Sequence, residues 1–276
     1  MKKVMITGAR GFIGKYVVRL LEKEYEVCPF EGNLFETNIE DYVADIKPDY
    51  LINLAWVTGP GYLDSEDNIR FVQAGIRLYD AFFANGGKRA VYIGTEQEYK
   101  RQQYPLKETD TIKAESLYAE CKAYLGKILV DNSLKTGKGF VWGRLFFVYG
   151  AGEKEKRLMP SIIRGLLNND IVTCSYEKYV RDYIYVKDVA SAIVACLFSD
   201  YSGFVNIGGG KSTSIEDIAN TAQSIIGGTG KVVFKAEEDC GQPMCIQADI
   251  SLLESLGWTQ EYELETGIRE EIEMMR

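Results

Sequence analysis

Tyr118 and Lys122 stand four residues apart in Tyr118-Ala119-Glu120-Cys121-Lys122, within a stretch, Ser116–Leu134, whose pattern is helical. At that spacing two side chains share one helix face, with Cβ atoms roughly 5–6 Å apart. An ammonium beside a phenol favours the phenolate and draws its pKa below the usual value of about 10. The pair is equipped to take a proton from a hydroxyl, or to return one to a ketone oxygen. Tyr and Lys at this spacing are common on helix surfaces. The pair gains weight from a second chemical element, about 100 residues upstream.

That element is Gly8-Ala9-Arg10-Gly11-Phe12-Ile13-Gly14. Its glycines are spaced three apart, between the β-branched run Lys3–Thr7 and a helical pattern that runs through Glu22. Glycine allows a tight turn and lets the backbone approach a pyrophosphate closely. The helix that follows offers free N–H groups to the same anion. Strand, glycine loop and helix in this order predict a dinucleotide site. Glu31 lies 20 residues beyond Gly11, where an acid binds the ribose hydroxyls of NAD. Arg10 suits the 2′-phosphate of NADP. Both cofactors stay open, with NAD ahead.

These groups need elements to hold them. Strand patterns at Lys3–Thr7, Tyr25–Phe30, Tyr50–Ala55, Arg89–Ile93 and Phe140–Val148 alternate with helical ones, at Ile39–Ile46, Ile69–Ala84 and Ser116–Leu134 among others. Such alternation implies an α/β fold, a Rossmann-type doubly wound parallel sheet with right-handed crossovers. Beyond Tyr149-Gly150 the pattern loosens. Helical patterns at Leu158–Asn168, Lys187–Phe198, Ile215–Ile226, Leu252–Gly257 and Leu264–Met275 are interrupted by strand-like Val180–Val186 and Phe204–Ile207. Residues 1–150 are expected to form the dinucleotide-binding domain. Residues 151–276 are expected to form mainly a smaller substrate-binding lobe, with some segments returning to the main sheet.

Composition narrows the chemistry further. The 276 residues are 46% hydrophobic and 26% charged, enough to bury a core without disulfides. There is no histidine, which removes histidine bases, histidine zinc sites and Ser-His-Asp triads. The net charge of −8, with no long basic run, argues against nucleic acid or an anionic membrane surface as partner. A small anion needs only an arginine and a helix N-terminus. The cysteines Cys28, Cys121, Cys174, Cys196, Cys240 and Cys245 form no C-x-x-C, which suits reduced thiols in the cytoplasm. The longest apolar run, Val189–Phe198, is about half of the ~20 residues needed to span a bilayer. The N-terminus runs directly into the glycine loop, and no targeting segment is expected there.

The chain resembles the extended short-chain dehydrogenase/reductases, in particular the nucleotide-sugar epimerase, dehydratase and ketoreductase group. The resemblance rests on Gly8–Gly14, Asn53-Leu54-Ala55 and Tyr118 with Lys122. It extends through Arg144-Leu145-Phe146-Phe147-Val148-Tyr149-Gly150, the run Arg181–Ala190, Asn206-Ile207-Gly208 and Leu256-Gly257-Trp258. It implies an NAD- or NADP-dependent enzyme acting on a nucleotide-diphosphate sugar, with oxidation or reduction at hexose C4. Thr95, Tyr118 and Lys122 are then the catalytic residues. Gly8, Arg10, Gly11, Phe12, Ile13, Gly14, Glu31, Asn33, Leu34, Leu54 and Ala55 hold the cofactor, together with Tyr118 and Lys122. Trp56, Glu96, Phe147 and Arg181 face the substrate, Arg181 as a guanidinium for the diphosphate. A homodimer through the helices Ile69–Ala84 and Ser116–Leu134 is also implied.

Three departures from the family pattern matter. Where dehydratases carry an acidic pair, this chain has Glu96 and then Gln97, whose amide cannot act as a base. Phe147 replaces a substrate-contacting Asn. The stretch between Phe30 and Asn33 is short, and Asn33 replaces an Asp, though it can still bond adenine. A 4-epimerase and a 4-ketoreductase both remain open. A dehydratase, and a non-catalytic dinucleotide-binding regulator on the same fold, are the alternatives.

Overall fold

The protein is described here by a computed structural model covering residues 1–102, 105–175, 177, 179–235 and 245–276. Cys240 lies outside the described residues. Strands β1 (Lys3–Thr7), β2 (Glu26–Pro29), β3 (Tyr50–Asn53), β4 (Arg89–Thr95) and β5 (Gly139–Leu145) alternate with helices α1 (Gly14–Leu21), α2 (Ile39–Ile46), α3 (Asp67–Ala84) and α4 (Leu117–Thr136). Successive side chains of a strand point to opposite faces, and here both faces are apolar. Val4, Ile6, Ile52, Val91, Ile93 and Val141 pack one face together with Val17 and Leu21 of α1. Met5, Leu51, Ala90, Tyr92, Phe140 and Trp142 pack the other, against Ala74, Leu78 and Phe82 of α3 and Leu125 and Leu129 of α4. A sheet apolar on both faces must be covered on both, which is the doubly wound arrangement.

The second half continues with β6 (Phe147–Tyr149), α5 (Leu158–Leu167), β7 (Ile171–Cys174), β8 (Val180–Tyr185), α6 (Val186–Phe198) and β9 (Gly203–Ile207). It closes with β10 (Ser212–Ser214), α7 (Ile215–Ile226), β11 (Lys231–Phe234), β12 (Cys245–Ile246), α8 (Ser251–Ser255) and α9 (Leu264–Met275). The main sheet has the order β2-β1-β3-β4-β5-β9, parallel throughout. A second sheet forms around β8, which pairs antiparallel with β10 and parallel with β6 and β12. β7 and β11 make a separate parallel pair.

Every helix boundary read from the sequence falls within two residues of the observed one. The strand read as Phe140–Val148 is instead two strands. β5 ends at Leu145 on β9, and β6 starts at Phe147 on β8. The apolar run is continuous across this point, so periodicity carries no mark of the change of partner. The Phe146 N–H donates to the Ile207 carbonyl, closing the first sheet just where the chain leaves it. Strands β7, β10, β11 and β12 have two to four residues each and are mostly half-exposed, too short to show an alternation.

Local signals fix the elements nearest the site. Ser116 caps α4 by accepting from the Ala119 N–H, and Gly137 ends that helix in the left-handed region at φ +68°. Gly126 faces Trp142 across the α4–β5 contact, where a Cβ would lie 2.7 Å from the indole. The helix thus lies close against β5.

Glu271 of α9 is fully buried and neither carboxylate oxygen has a hydrogen-bond partner. Burial, with the neighbouring Glu153 charge adding to it, pushes its pKa up to about 8. The folded chain keeps this proton to about pH 8, whereas the unfolded chain releases it near the usual glutamate value of about 4.3. Stability from this group is therefore lost as pH rises through that window. Glu271→Gln should show a smaller fall in melting temperature between pH 5 and pH 8 than the unchanged chain, measured by calorimetry. Equal falls would mean that Glu271 is solvated.

Candidate active site

The strand ends converge at the carboxyl edge of the main sheet. Thr95 is the last residue of β4 and caps a one-turn 3-10 helix, Glu96–Glu98. Its hydroxyl accepts from the Gln97 N–H at 3.3 Å. Tyr118 and Lys122 lie on the first turns of α4, on one face as their spacing requires. The Thr95 hydroxyl lies near enough to the Tyr118 phenol to favour its ionised form. The structure thus brings Thr95, Tyr118 and Lys122 together.

Lys122 is buried, and its Nζ donates to the Ile93 carbonyl at 2.6 Å. The ammonium sits 4.2 Å from the centre of the Trp56 ring and 5.7 Å from that of Tyr118. Trp56 is itself fixed. Its ring stacks on Phe71, and its Nε1–H donates to Asn68 Oδ1 at 2.8 Å. Trp56 therefore covers Lys122, beside the cofactor cleft, and meets the Tyr118 ring edge-on. Tyr62 closes over Tyr118 from the other side, with ring centres 4.9 Å apart.

The expected lowering of the Tyr118 pKa is not what this arrangement produces. Burial holds the phenol well above its ordinary range, against the nearby Thr95 hydroxyl that lowers it. Glu98 and Glu96 add to the rise. The Lys122 ammonium is turned to the Ile93 carbonyl and the Trp56 ring and is itself brought down to about 7 by burial. The same loss of water lifts the buried Glu96 carboxyl to about 7, against the pull of Arg101 and Arg181. In a desolvated site each charged form is disfavoured, whatever its sign.

Beside this group lies a cavity of about 630 Å³. It is lined by Gly8, Arg10 and Gly11 of the loop, by Pro29 at the end of β2 and Phe30–Phe35 after it, and by Ala55 and Phe71. Gly8 lies in the left-handed region at φ +69°, and a Cβ there would meet the Ala55 nitrogen at 3.0 Å. A Cβ on Gly14 would lie 2.2 Å from the Gly8 carbonyl. Bare backbone and the start of α1 thus meet at the ends of β1 and β3. This cradle fits a dinucleotide: the loop admits the pyrophosphate and the cavity admits the adenosine. Glu31 and Arg10 form an ion pair at its mouth. Asn33 lines the cavity, but its Oδ1 is engaged by the Phe35 N–H at 2.9 Å. Leu34 is buried and contributes to wall and core alike. Phe12, Ile13 and Leu54 pack against the core rather than line the cavity, and Gly14 acts through close packing.

On the opposite side Arg181 of β8 lies 9% exposed, its guanidinium carbon 5.0 Å from the Tyr179 ring centre and 5.8 Å from that of Phe147. Asp182 and Asp188, its acidic sequence neighbours, are engaged elsewhere. Asp182 accepts from the amides of Gly209, Gly210 and Ala248, and Asp188 from those of Glu261 and Tyr262. Glu96 lies between this region and Tyr118, with Arg101 at 3.6 Å.

One residue behind the site escaped the sequence reading. Glu98 is fully buried and accepts from the Thr95 N–H at 2.9 Å, the Trp142 indole at 3.0 Å and Arg144 Nε at 2.7 Å. Thr95-x-x-Glu98 has the spacing of a capping box, which was the available signal.

The family model of the NAD dependent epimerase/dehydratase family matches residues 4–208, and the chain belongs to that family. It is an NAD(P)-dependent enzyme. Among curated proteins it is 28% identical over 311 aligned positions to a putative UDP-glucose 4-epimerase of Methanocaldococcus jannaschii, covering 99% of this chain and 98% of that one. It is 23% identical to the CDP-abequose synthase of Salmonella muenchen, again over 99% and 98%. Among solved structures, a UDP-N-acetylglucosamine 4-epimerase from Methanobrevibacter ruminantium M1, in complex with UDP-N-acetylmuramic acid, superposes with a TM-score of 0.88 at 25% identity, covering 99% and 98%.

The glycine cradle makes a direct prediction. Gly14→Ala drives a methyl group into the Gly8 carbonyl and lifts the loop from the sheet. NADH affinity, read by fluorescence titration, should fall at least tenfold while far-UV circular dichroism stays unchanged. Unaltered affinity would show that the loop does not hold the dinucleotide.

Proposed function

We propose that this enzyme interconverts an alcohol and a ketone at hexose C4 of a nucleotide-diphosphate sugar, as a 4-epimerase or a 4-ketoreductase. The observation that carries the reading is the meeting of Thr95, Tyr118 and Lys122 beside the glycine-lined cleft. The relatives named above, a UDP-glucose epimerase and a CDP-sugar synthase, support a sugar nucleotide as substrate.

The nicotinamide, when bound, exchanges a hydride with the sugar carbon. Tyr118 moves the accompanying proton. Burial keeps its phenol protonated in the resting site, so it starts as the donor to a ketone oxygen. Thr95 orients that oxygen and Lys122 stabilises the tyrosinate left behind. Residues Gly8, Arg10, Gly11, Glu31, Asn33, Leu34 and Ala55 hold the dinucleotide, with Phe12, Ile13, Gly14 and Leu54 shaping the loop and wall around it. Glu31 at the ribose end supports NAD ahead of NADP. Arg181 grips the diphosphate, a planar fork matched to two phosphate oxygens. Phe147, Glu96 and Trp56 border the sugar. Residues 1–150 hold the cofactor and, through Trp56, Glu96 and Phe147, one side of the sugar, and residues 151–276 supply Arg181 for the diphosphate.

Elimination of water would need a base where Gln97 stands, and a purely regulatory protein has no use for the assembled triad. Dehydration and regulation are therefore the weaker readings. The five described cysteines are free thiols, which suits the cytoplasm. Among the described residues, no helix is long and apolar enough to cross a membrane.

Tyr118→Phe removes only the proton-carrying oxygen. It should lower turnover on UDP-glucose, or on a nucleotide-linked 4-keto sugar, by roughly 10²–10⁴-fold, with NADH affinity held within about threefold of the unchanged enzyme. Mass spectrometry of nucleotide released on denaturation separates the two outcomes: retained NAD marks an epimerase, an empty site a ketoreductase. Full turnover in Tyr118→Phe would overturn the reading.

A homodimer is proposed through α3 and α4. Tyr124 and Ile128 lie one turn apart on α4, 68% and 49% exposed, and Ile69 on α3 is 48% exposed. Tyr124→Glu with Ile128→Glu should halve the mass seen by light scattering. A monomeric unchanged chain would refute it.

A further inference from the structure

The loop between β3 and α3 lies over Tyr118, yet little apolar contact holds it. Among the described residues, none of 57–66 belongs to the apolar core, and Gly59 and Gly61 both take positive φ. Such a segment needs polar ties to keep one conformation. Thr58 accepts from Lys154 Nζ at 3.3 Å. The Leu63 carbonyl accepts from the Tyr118 N–H at 2.8 Å. Three further ties meet at a single side chain, Asn68.

Asn68, on the first turn of α3, is fully buried. Its Oδ1 accepts from the Trp56 indole N–H at 2.8 Å, and its Nδ2 donates to the Tyr62 and Ser65 carbonyls, each at 2.8 Å. Both amide hydrogens and the carbonyl oxygen are thus engaged. Only a carboxamide meets this set, because an indole N–H is a donor alone and a backbone carbonyl an acceptor alone. Phe71 lies one turn further along the same face of α3 and stacks on the Trp56 ring. Asn68 therefore holds the indole by its edge and Phe71 holds it by its face. So placed, the ring lies over Lys122, whose Nζ is 4.2 Å from its centre. The bond to the Tyr62 carbonyl seats the Tyr62 ring against Tyr118, with centres 4.9 Å apart.

We propose that Asn68 is a positioning residue of this site, which clamps the loop 56–65 so that Trp56 stays over Lys122 and Tyr62 against Tyr118. The inference rests on the function proposed above, because it takes Tyr118 and Lys122 as the working pair. The clamp also joins two parts of the site. Phe71 lines the cofactor cavity, so the indole connects that wall to the pair. Asn68 itself does not line the cavity. It acts only through the residues it holds. Without it the loop moves away, water reaches Tyr118 and Lys122, and the phenol loses its fixed orientation.

The Tyr118 N–H reads the loop directly. It lies in the first turn of α4, where an amide has no partner within the helix, so the Leu63 carbonyl is what protects it. Its hydrogen exchange is measured by NMR on the full-length, ¹⁵N-labelled chain, free of substrate. Asn68→Ala removes all three bonds. Asn68→Asp keeps the bond to Trp56 and sets an acceptor against the two carbonyls. In both variants the Tyr118 N–H should exchange roughly tenfold faster or more, with the Leu125 and Leu129 amides in the middle of α4 unchanged. Turnover per bound NADH, on UDP-glucose or a nucleotide-linked 4-keto sugar, should fall roughly tenfold or more with KM held within about threefold. Exchange at Tyr118 within about twofold of the unchanged chain overturns the proposal. So does faster exchange with turnover intact, or equal acceleration of all three amides, which marks a general loss of stability. Failure of both variants to fold also overturns it, since Asn68 would then serve the scaffold as a whole. The exchange readout needs neither substrate nor turnover. Unchanged exchange with an inactive Tyr118→Phe sinks only the role of Asn68, whereas an active Tyr118→Phe sinks the function.

Discussion

Two opposite charges, Glu98 and Arg144, lie out of water at the carboxyl end of β4 and β5, and much of the site is arranged around them. Neither can be buried alone without a cost of several kcal/mol. Their hydrogen bonds are satisfied by fixed neighbours: the Thr95 amide, the Trp142 indole, the Tyr99 hydroxyl and the Glu108 carbonyl. Each of those commitments constrains another element. Trp142 requires glycine at positions 94 and 126, and Gly126 brings α4 close enough to seat Tyr118 and Lys122 over the end of β4. A single buried ion pair therefore ties a strand end, a one-turn helix and α4 into one geometry.

The second organising feature is the shared dehydration of the site. Tyr118 and Glu96 hold their protons more tightly than in water, and Lys122 holds its proton less tightly. All three move toward neutrality for the same reason. A group poised near 7 changes state at little cost, which suits proton transfer at neutral pH. The aromatic residues Trp56, Tyr62 and Phe71 produce this environment by covering the polar groups rather than by touching a reacting atom.

The cofactor cleft follows a different logic. It depends on missing side chains. Gly8 and Gly14 clear the backbone where β1 meets α1, and the trimmed turn after β2 brings Glu31 to the mouth of the same cavity. The local chain makes this half of the site. The other half is assembled from distant segments, with Glu96 after β4, Phe147 on β6 and Arg181 on β8. That division is consistent with a fold that keeps its dinucleotide cradle and varies the strands facing the sugar.

By itself the sequence determined whatever depends on spacing along the chain. The glycine loop between strand and helix, the shared face of Tyr118 and Lys122 and the helix boundaries all follow from the periods of helix and strand, whereas Thr95 just past a strand came from the family resemblance. Those periods hold wherever the segment is placed. The absence of histidine likewise settled which groups were left for proton transfer. Only the tertiary structure decided the rest. The split at Phe146 depends on which strand each half meets. The high Tyr118 pKa, and the turning of Lys122 toward Ile93 and Trp56, depend on how much water the packed chain excludes. The weight of Glu98 depends on Arg144, which is 46 residues away in sequence and 2.7 Å away in space. Spacing is a property of the chain, whereas burial and charge pairing are properties of the segments that meet.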